Sequence, residues 1–186
     1  MVILIIISVA LLIIGVALYN NLISKKNKIE YAFSSIDVML KKRSDLIPNL
    51  VAAAKEYMTH ESGILTKITE LRSQLQQTDS ASKERFNLEG QLGAALGQIQ
   101  LAFENYPDLK ANQNILQLQA SLNEVEEQIS AARRAFNGAV YDYNTSIESF
   151  PGNIMAGFMN LDRRESFEAL PEERENVNVS DLFKKG

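Results

Sequence analysis

The sequence contains no cysteine, which excludes disulfides, thiolate catalysis, cysteine-based zinc sites and a lipid-modified cysteine. Histidine is nearly as scarce. His60 stands alone, and His60-Glu61 is followed by Ile64 where a second zinc-binding histidine would have to be, so the zincin pattern fails. No serine lies in a nucleophile-elbow glycine pattern, and Glu-x-x-His pairs of the kind that hold metals in helical bundles do not occur. Excess basic charge is missing too: the net charge is −4, and without a basic field nucleic acid is not an expected partner. Glycine and proline are sparse, whereas Leu, Ile, Ala, Gln, Glu and Lys dominate, a composition that favours helix almost throughout. These absences predict an all-α, non-enzymatic protein with no cofactor and no metal.

What the chain does have, at its start, is a long apolar run. Val2 to Leu18 carries no charge, and Tyr19, Leu22 and Ile23 extend it toward the ~20 residues that a bilayer core requires. A soluble core helix is rarely apolar on every face. A cleaved signal peptide is disfavoured because there is no positive n-region and no A-x-A site before Tyr19. Residues 1–23 are therefore expected to be a single-pass transmembrane anchor. No Lys or Arg precedes the run, whereas Lys25, Lys26 and Lys28 follow it, so the positive-inside rule places the N-terminus outside and the remainder in the cytoplasm, the reverse being the alternative. The same lysines could rest on anionic headgroups, with Tyr19 as an interfacial aromatic.

Beyond the anchor, apolar residues recur in steps of three and four. Ile29, Phe33, Ile36, Leu40, Ile47, Leu50, Ala54 and Tyr57 form one seam; Ile115, Leu118, Leu122, Val125, Ile129, Ala132, Phe136, Ala139 and Tyr143 form another. Between them Ile64, Ile68, Leu71 and Leu75 share a heptad phase with Leu92, Leu96, Ile99, Phe103 and Tyr106. That shared phase favours one continuous helix, although Thr78-Asp79-Ser80 is a plausible break. Gly90, Gly93 and Gly97 lie outside any strand-to-helix context, so close packing or local weakening explains them better than phosphate binding. Three segments of about forty residues, each about 60 Å long at 1.5 Å per residue, predict an up-down-up bundle over residues 24–161. The short apolar piece from Ile154 to Leu161 is expected to be a final short helix, and residues 162–186 an extended or mobile tail.

Two residues interrupt the first seam. Arg43 sits on it, either snorkelling to the surface or buried and paired. Pro48 lies inside the helix and frees the carbonyl of Ser44, which Asn49, Arg43 or water could satisfy. With the third segment parallel to the first, Arg43, Pro48 and Asn49 would stand level with Arg133, Asn137 and Asn144 in the membrane-distal half. Glu124, Glu126 and Glu127 read as a solvated helix face.

Lys42-Arg43-Ser44-Asp45-Leu46-Ile47-Pro48-Asn49-Leu50-Val51, His60-Glu61, Ala132-Arg133-Arg134-Ala135-Phe136-Asn137, Val140, Tyr143-Asn144 and Phe150-Pro151-Gly152-Asn153 together resemble the LemA family. The resemblance covers the anchor and nearly all of the bundle. Phe136 departs from the family's usual Tyr before Asn, which keeps a packing role and removes a hydroxyl. The resemblance implies a single-span, membrane-anchored helical bundle, usually of unassigned biochemical activity, and some relatives look like membrane-biogenesis factors of magnetosomes. It supplies no catalytic residue.

Taken together, these features predict a membrane-anchored scaffold or interaction protein acting in membrane organisation or biogenesis. Its partners would be the lipid bilayer, a further copy of itself and an unidentified protein. The candidate interaction or structural cluster is Arg43, Pro48, Asn49, Arg133, Asn137 and Asn144, along a stripe that Glu148 continues; the candidate membrane-interface residues are Tyr19, Lys25, Lys26 and Lys28. The alternative readings are an anion- or signal-sensing bundle using Arg43 and Arg133, or an accessory regulator of a membrane protease or transporter.

Overall fold

The computed structural model describes residues 1–78, 83–107, 109 and 112–167. The described chain is all-α: α1 (Val2–Lys55), a 3-10 turn (Thr59–Glu61), α2 (Ser62–Gln77), α3 (Lys83–Phe103), α4 (Gln113–Glu148) and α5 (Gly152–Phe158). The apolar anchor runs without interruption into the first bundle helix, and none of the residues in the most apolar 18-residue stretch of α1 is buried. That stretch is long and apolar enough to cross a bilayer.

The expected second helix is two helices. α2 ends at Thr78, whose backbone is extended (φ −96°, ψ 138°), and the chain reverses direction before α3. The directions follow from cross-helix contacts. Arg72 in α2 donates to the Ser44 carbonyl of α1 (3.0 Å), so α2 descends toward the anchor. Arg85 near the start of α3 meets Asp37 (2.8 Å) and Glu89 meets Arg43, so α3 ascends. Lys25 reaches Ser146, Phe33 meets Phe136 and Arg43 meets Glu126 (2.7 Å), so α4 descends, antiparallel to α1. The third segment is therefore antiparallel to the first, because the extra reversal between α2 and α3 turns an up-down-up bundle into up-down-up-down. Each half of the second segment turns its own apolar face to the interior, so their shared heptad phase does not require a continuous helix.

The core forms two clusters. The distal one joins Ile47, Leu50 and Ala54 of α1 to Leu65, Ile68 and Leu71 of α2, Leu92, Leu96 and Ile99 of α3, and Ile115 and Leu122 of α4. The proximal one joins Leu22, Ile29, Ile36 and Leu40 to Val125, Ile129, Phe136, Tyr143 and Ile147, with Ala156 of α5. α4 starts at an Asn112 cap, whose side chain accepts from the backbone N–H of Asn114 (2.9 Å) and Ile115 (3.4 Å). Asp108, a residue type suited to capping this helix, lies outside the described residues, as do residues 168–186.

The turn from α4 into α5 depends on Gly152. A Cβ there would stand 2.1 Å from the Ser146 carbonyl oxygen, a backbone atom that cannot swing aside. Gly152→Ala is expected to destabilise the protein by about 1–3 kcal/mol through this overpacking, read as a lower midpoint in thermal unfolding followed by circular dichroism. An unchanged midpoint would mean that the turn accommodates a methyl group.

Candidate functional site

Two polar sites stand out, and they divide the residues expected to cluster. The first is the ion network of Arg43, which is only 2% exposed. Its position follows from the heptad: Arg43 falls between Leu40 and Ile47 on the buried seam of α1. One guanidinium nitrogen pairs with the Glu89 carboxylate and also donates to the Glu89 carbonyl (3.2 Å). The other donates to Glu126 (2.7 Å). Arg85, one turn before Glu89, lies 3.9 Å from the same carboxylate and reaches Asp37. Of the two readings of Arg43, the buried and paired one describes the structure. Gly93 lies beside it, where a Cβ would meet Nη1 at an ordinary 3.6 Å.

Glu89 was not singled out by the sequence and Glu126 was read as part of a solvated face, yet Glu89 had a signal. Stepping back three residues from Leu92 along the α3 seam lands on Glu89, so α1 and α3 each carry one charge of opposite sign on an apolar seam. Glu126 read as solvated because it lies beside Val125 rather than on the seam; the length of the Arg43 side chain brings the two together. Pro48 and Asn49 are both exposed. The Ser44 carbonyl that Pro48 frees is taken by Arg72, which the sequence reading did not consider.

The second site lies nearer the membrane, because α4 descends. Asn137 donates to the Phe167 carbonyl (3.0 Å) and accepts from the Phe167 N–H (2.8 Å). Asn144 does the same with Arg164, at 2.9 Å in both directions. Seven helical residues advance about 10.5 Å, and three extended residues advance about 10 Å, so the two amides are spaced to grip every third residue of an extended strap running antiparallel to α4. Tyr143 donates to the Asp162 carbonyl (3.2 Å), and Glu148 pairs with Arg163 (2.9 Å). Phe167 packs against Phe86 of α3 (centroids 4.6 Å) and Phe136 of α4 (4.8 Å), with the Arg133 guanidinium 6.0 Å from its ring centroid. The predicted stripe on α4 is thus the seat of residues 162–167, a segment whose charged composition read as an extended or mobile tail.

Of the interface candidates, Tyr19 is exposed on α1. Lys25 bonds to Ser146 and donates to the Asp142 carbonyl (3.4 Å), Lys28 lies 3.9 Å from Asp142, and Lys26 is partly covered. Exposed His60 stands in the distal turn, and among the described residues no group of three or more His, Cys, Asp or Glu could hold a metal.

Arg43→Met should cost about 3 kcal/mol by stranding the Glu89 carboxylate in the interior, and adding Glu89→Leu should recover most of the loss; equal destabilisation of the single and double variants in denaturant titration would contradict this. Burial pushes the Tyr143 hydroxyl above its ordinary value of 10.0, with Arg164 opposing and Asp162 adding to the shift. The unfolded chain therefore ionises first, so this contribution to stability is complete below the ordinary value and is lost as pH rises above it. Tyr143→Phe should remove that part of the alkaline decline, at a cost of about 1 kcal/mol for the lost hydrogen bond at neutral pH. Identical pH profiles for the two proteins would refute the assignment.

The LemA family model matches residues 32–180, which include both polar sites. Protein LemA of Metamycoplasma hominis is 31% identical over 163 residues, covering 88% of this chain and 74% of that protein. Magnetosome protein MamQ 2 of Paramagnetospirillum magneticum is 23% identical over 192 residues, covering 90% of this chain and 71% of that protein. Magnetosome protein MamQ of Magnetospirillum gryphiswaldense is 21% identical over the same span and coverage. With an apolar anchor helix, an all-α bundle and a family match across most of its length, the chain belongs to the LemA family.

Proposed function

We propose that this protein is a membrane-anchored, non-enzymatic scaffold that holds partner proteins by extended segments and organises them at the membrane. The observation that carries the reading is the pair Asn137 and Asn144. Each amide engages both backbone groups of one residue in a strap, a mode that grips main chain regardless of the side chains present. The groove also supplies an aromatic socket, formed by Phe86 and Phe136, that favours a large apolar side chain at one end. In this reading residues 162–167 occupy the groove until a partner, or the same segment of a second copy, replaces them. The bundle faces the cytoplasm, as Lys25, Lys26 and Lys28 argue through the positive-inside rule. The magnetosome proteins among the relatives are consistent with a role in membrane organisation.

An anion-sensing bundle has less support. The Arg43 guanidinium is already engaged by Glu89 and Glu126. Arg133 is seven residues farther along α4 than Glu126, about 10.5 Å away by helical rise, and faces an aromatic ring.

The test is cross-linking in native membranes with two variants that should move in opposite directions. Asn137→Ala with Asn144→Ala removes the grip and should abolish the cross-linked species while circular dichroism shows the helices intact. Removing the residues after Leu161 empties the groove and should increase cross-links to other proteins severalfold, while abolishing any between copies that use the same segment. Unchanged species in the first variant together with no gain in the second would make the ladder purely architectural.

A further inference from the structure

The turn Phe150-Pro151-Gly152-Asn153 and the helix that follows take no part in either polar site, yet their surface is unlike the rest of the bundle. Gly152 and Ala156 of α5 are buried, and Met155 and Met159 pack against the proximal core. On the outer side Phe150 is 80% exposed, Ile154 53% and Phe158 81%. Ile154 and Phe158 are four residues apart, a stripe along one side of α5, and Phe150 stands exposed in the turn that precedes the helix. Residues 149–161 carry no charge, and the charges resume together at both ends, where Glu148 pairs with Arg163 (2.9 Å).

The location of α5 says what covers this stripe. Met155 Cε lies 3.9 Å from where a Cβ on Gly15 would be, and Ala156 shares a cluster with Leu22. Gly15 is inside the apolar run, ten residues before Lys25, a distance of about 15 Å along the helix. α5 therefore lies beside the last turns of the anchor, on the membrane side of the first lysine, and its outer stripe continues the apolar surface of the span.

We propose that α5 is a second membrane contact, lying in the headgroup and acyl-chain boundary with Phe150, Ile154 and Phe158 against lipid. The amphipathic pattern fits such a position: small residues and methionines face the bundle, while aromatic and branched apolar side chains face the bilayer. Lys25 and Lys28, tied to Ser146 and Asp142, mark the level at which the protein leaves the lipid. The anchor then holds the chain in the membrane, while α5 fixes how far the bundle sinks and how it tilts. This assignment does not depend on what the Asn137–Asn144 groove binds.

The chain has no tryptophan, so Phe158→Trp provides a single emitter in the full-length protein. The protein is reconstituted in phosphatidylcholine–phosphatidylglycerol vesicles whose acyl chains carry bromine near the headgroup. Phe158→Trp should be quenched to within about twofold of Leu11→Trp in the span, by proximity to lipid, whereas Leu101→Trp on α3 should be unaffected. Ile154→Trp repeats the reading on the same stripe, so that misfolding of one variant leaves the other to decide. Emission as insensitive to bromine as that of Leu101→Trp, whether water, another protein or a second copy covers the stripe, would overturn the proposal.

Discussion

Arg43 occupies a seam position of α1, and two further helices are arranged to meet its guanidinium. A charge in the interior is tolerable only with partners of opposite sign and good geometry, and here Glu89 arrives from α3 and Glu126 from α4. The network lies where the distal core, ending at Ile47 and Leu122, gives way to the proximal core, beginning at Leu40 and Val125. A buried ion pair adds little stability compared with a well-packed apolar substitute, but removing one partner is costly. Its effect is therefore on register. Heptad seams tolerate slippage by whole repeats, and sliding α3 by seven residues would set Leu96 against Arg43 in place of Glu89. Glu126 alone would remain on the guanidinium, and breaking the buried pair with Glu89 costs several kcal/mol, which favours the one register.

Once that register is set, the placement of the second site follows. Glu126 is level with Arg43, so the remaining turns of α4 descend alongside the lower half of α1. Asn137 and Asn144 then face the level at which residues 162–167 climb back from α5. Phe167 seals the upper end of the strap by contacting Phe86 on α3 and Phe136 on α4. The strap covers a face of the proximal bundle where α2 does not reach, since α2 packs only against the distal half. The two halves thus complete their cores by different means: the distal half with four helices, the proximal half with α1, α4, the first turn of α3, α5 and the strap.

Much of this was legible in the sequence because burial in helices follows a period that residue types record directly. Ile29, Ile36, Leu40, Ile47, Leu50 and Ala54 on α1, and Ile115 through Tyr143 on α4, mark the faces that the structure buries. The direction of α4 was not legible, and the reason is instructive. Heptad phase reports which face of a segment is apolar; it is blind to a reversal that keeps the same face inward, and the break after Thr78 is such a reversal. With one turn uncounted, Asn137 and Asn144 were assigned to the distal half. The function of the asparagines was hidden for another reason. Their partners are backbone groups of a polar segment, and main-chain hydrogen bonding leaves no trace in side-chain composition. The seven-residue spacing of the two asparagines was visible, but only the strap gives that spacing a meaning.

The strap and α5 are joined by a short connection, and that continuity links lipid to the groove. Asn160, with a positive φ of 48°, ends α5, a backbone state that asparagine adopts more readily than most residues. From there Asp162 meets Tyr143, Arg164 meets Asn144 and Phe167 meets Asn137 in order along an extended path. α5 is held from inside by Gly152 and Ala156, and the strap by main-chain hydrogen bonds, so each is seated independently of the other's side chains. A displacement of α5 relative to α1 would be passed to the strap first at Tyr143, whose bond to Asp162 is the one nearest the connection. The strap can also leave the groove without disturbing either apolar cluster, apart from Phe167 and Leu161 at its ends. Under the proposed function, an incoming extended segment would therefore have to replace the four main-chain hydrogen bonds and the Phe167 contacts with Phe86 and Phe136, while the helices keep their own seams.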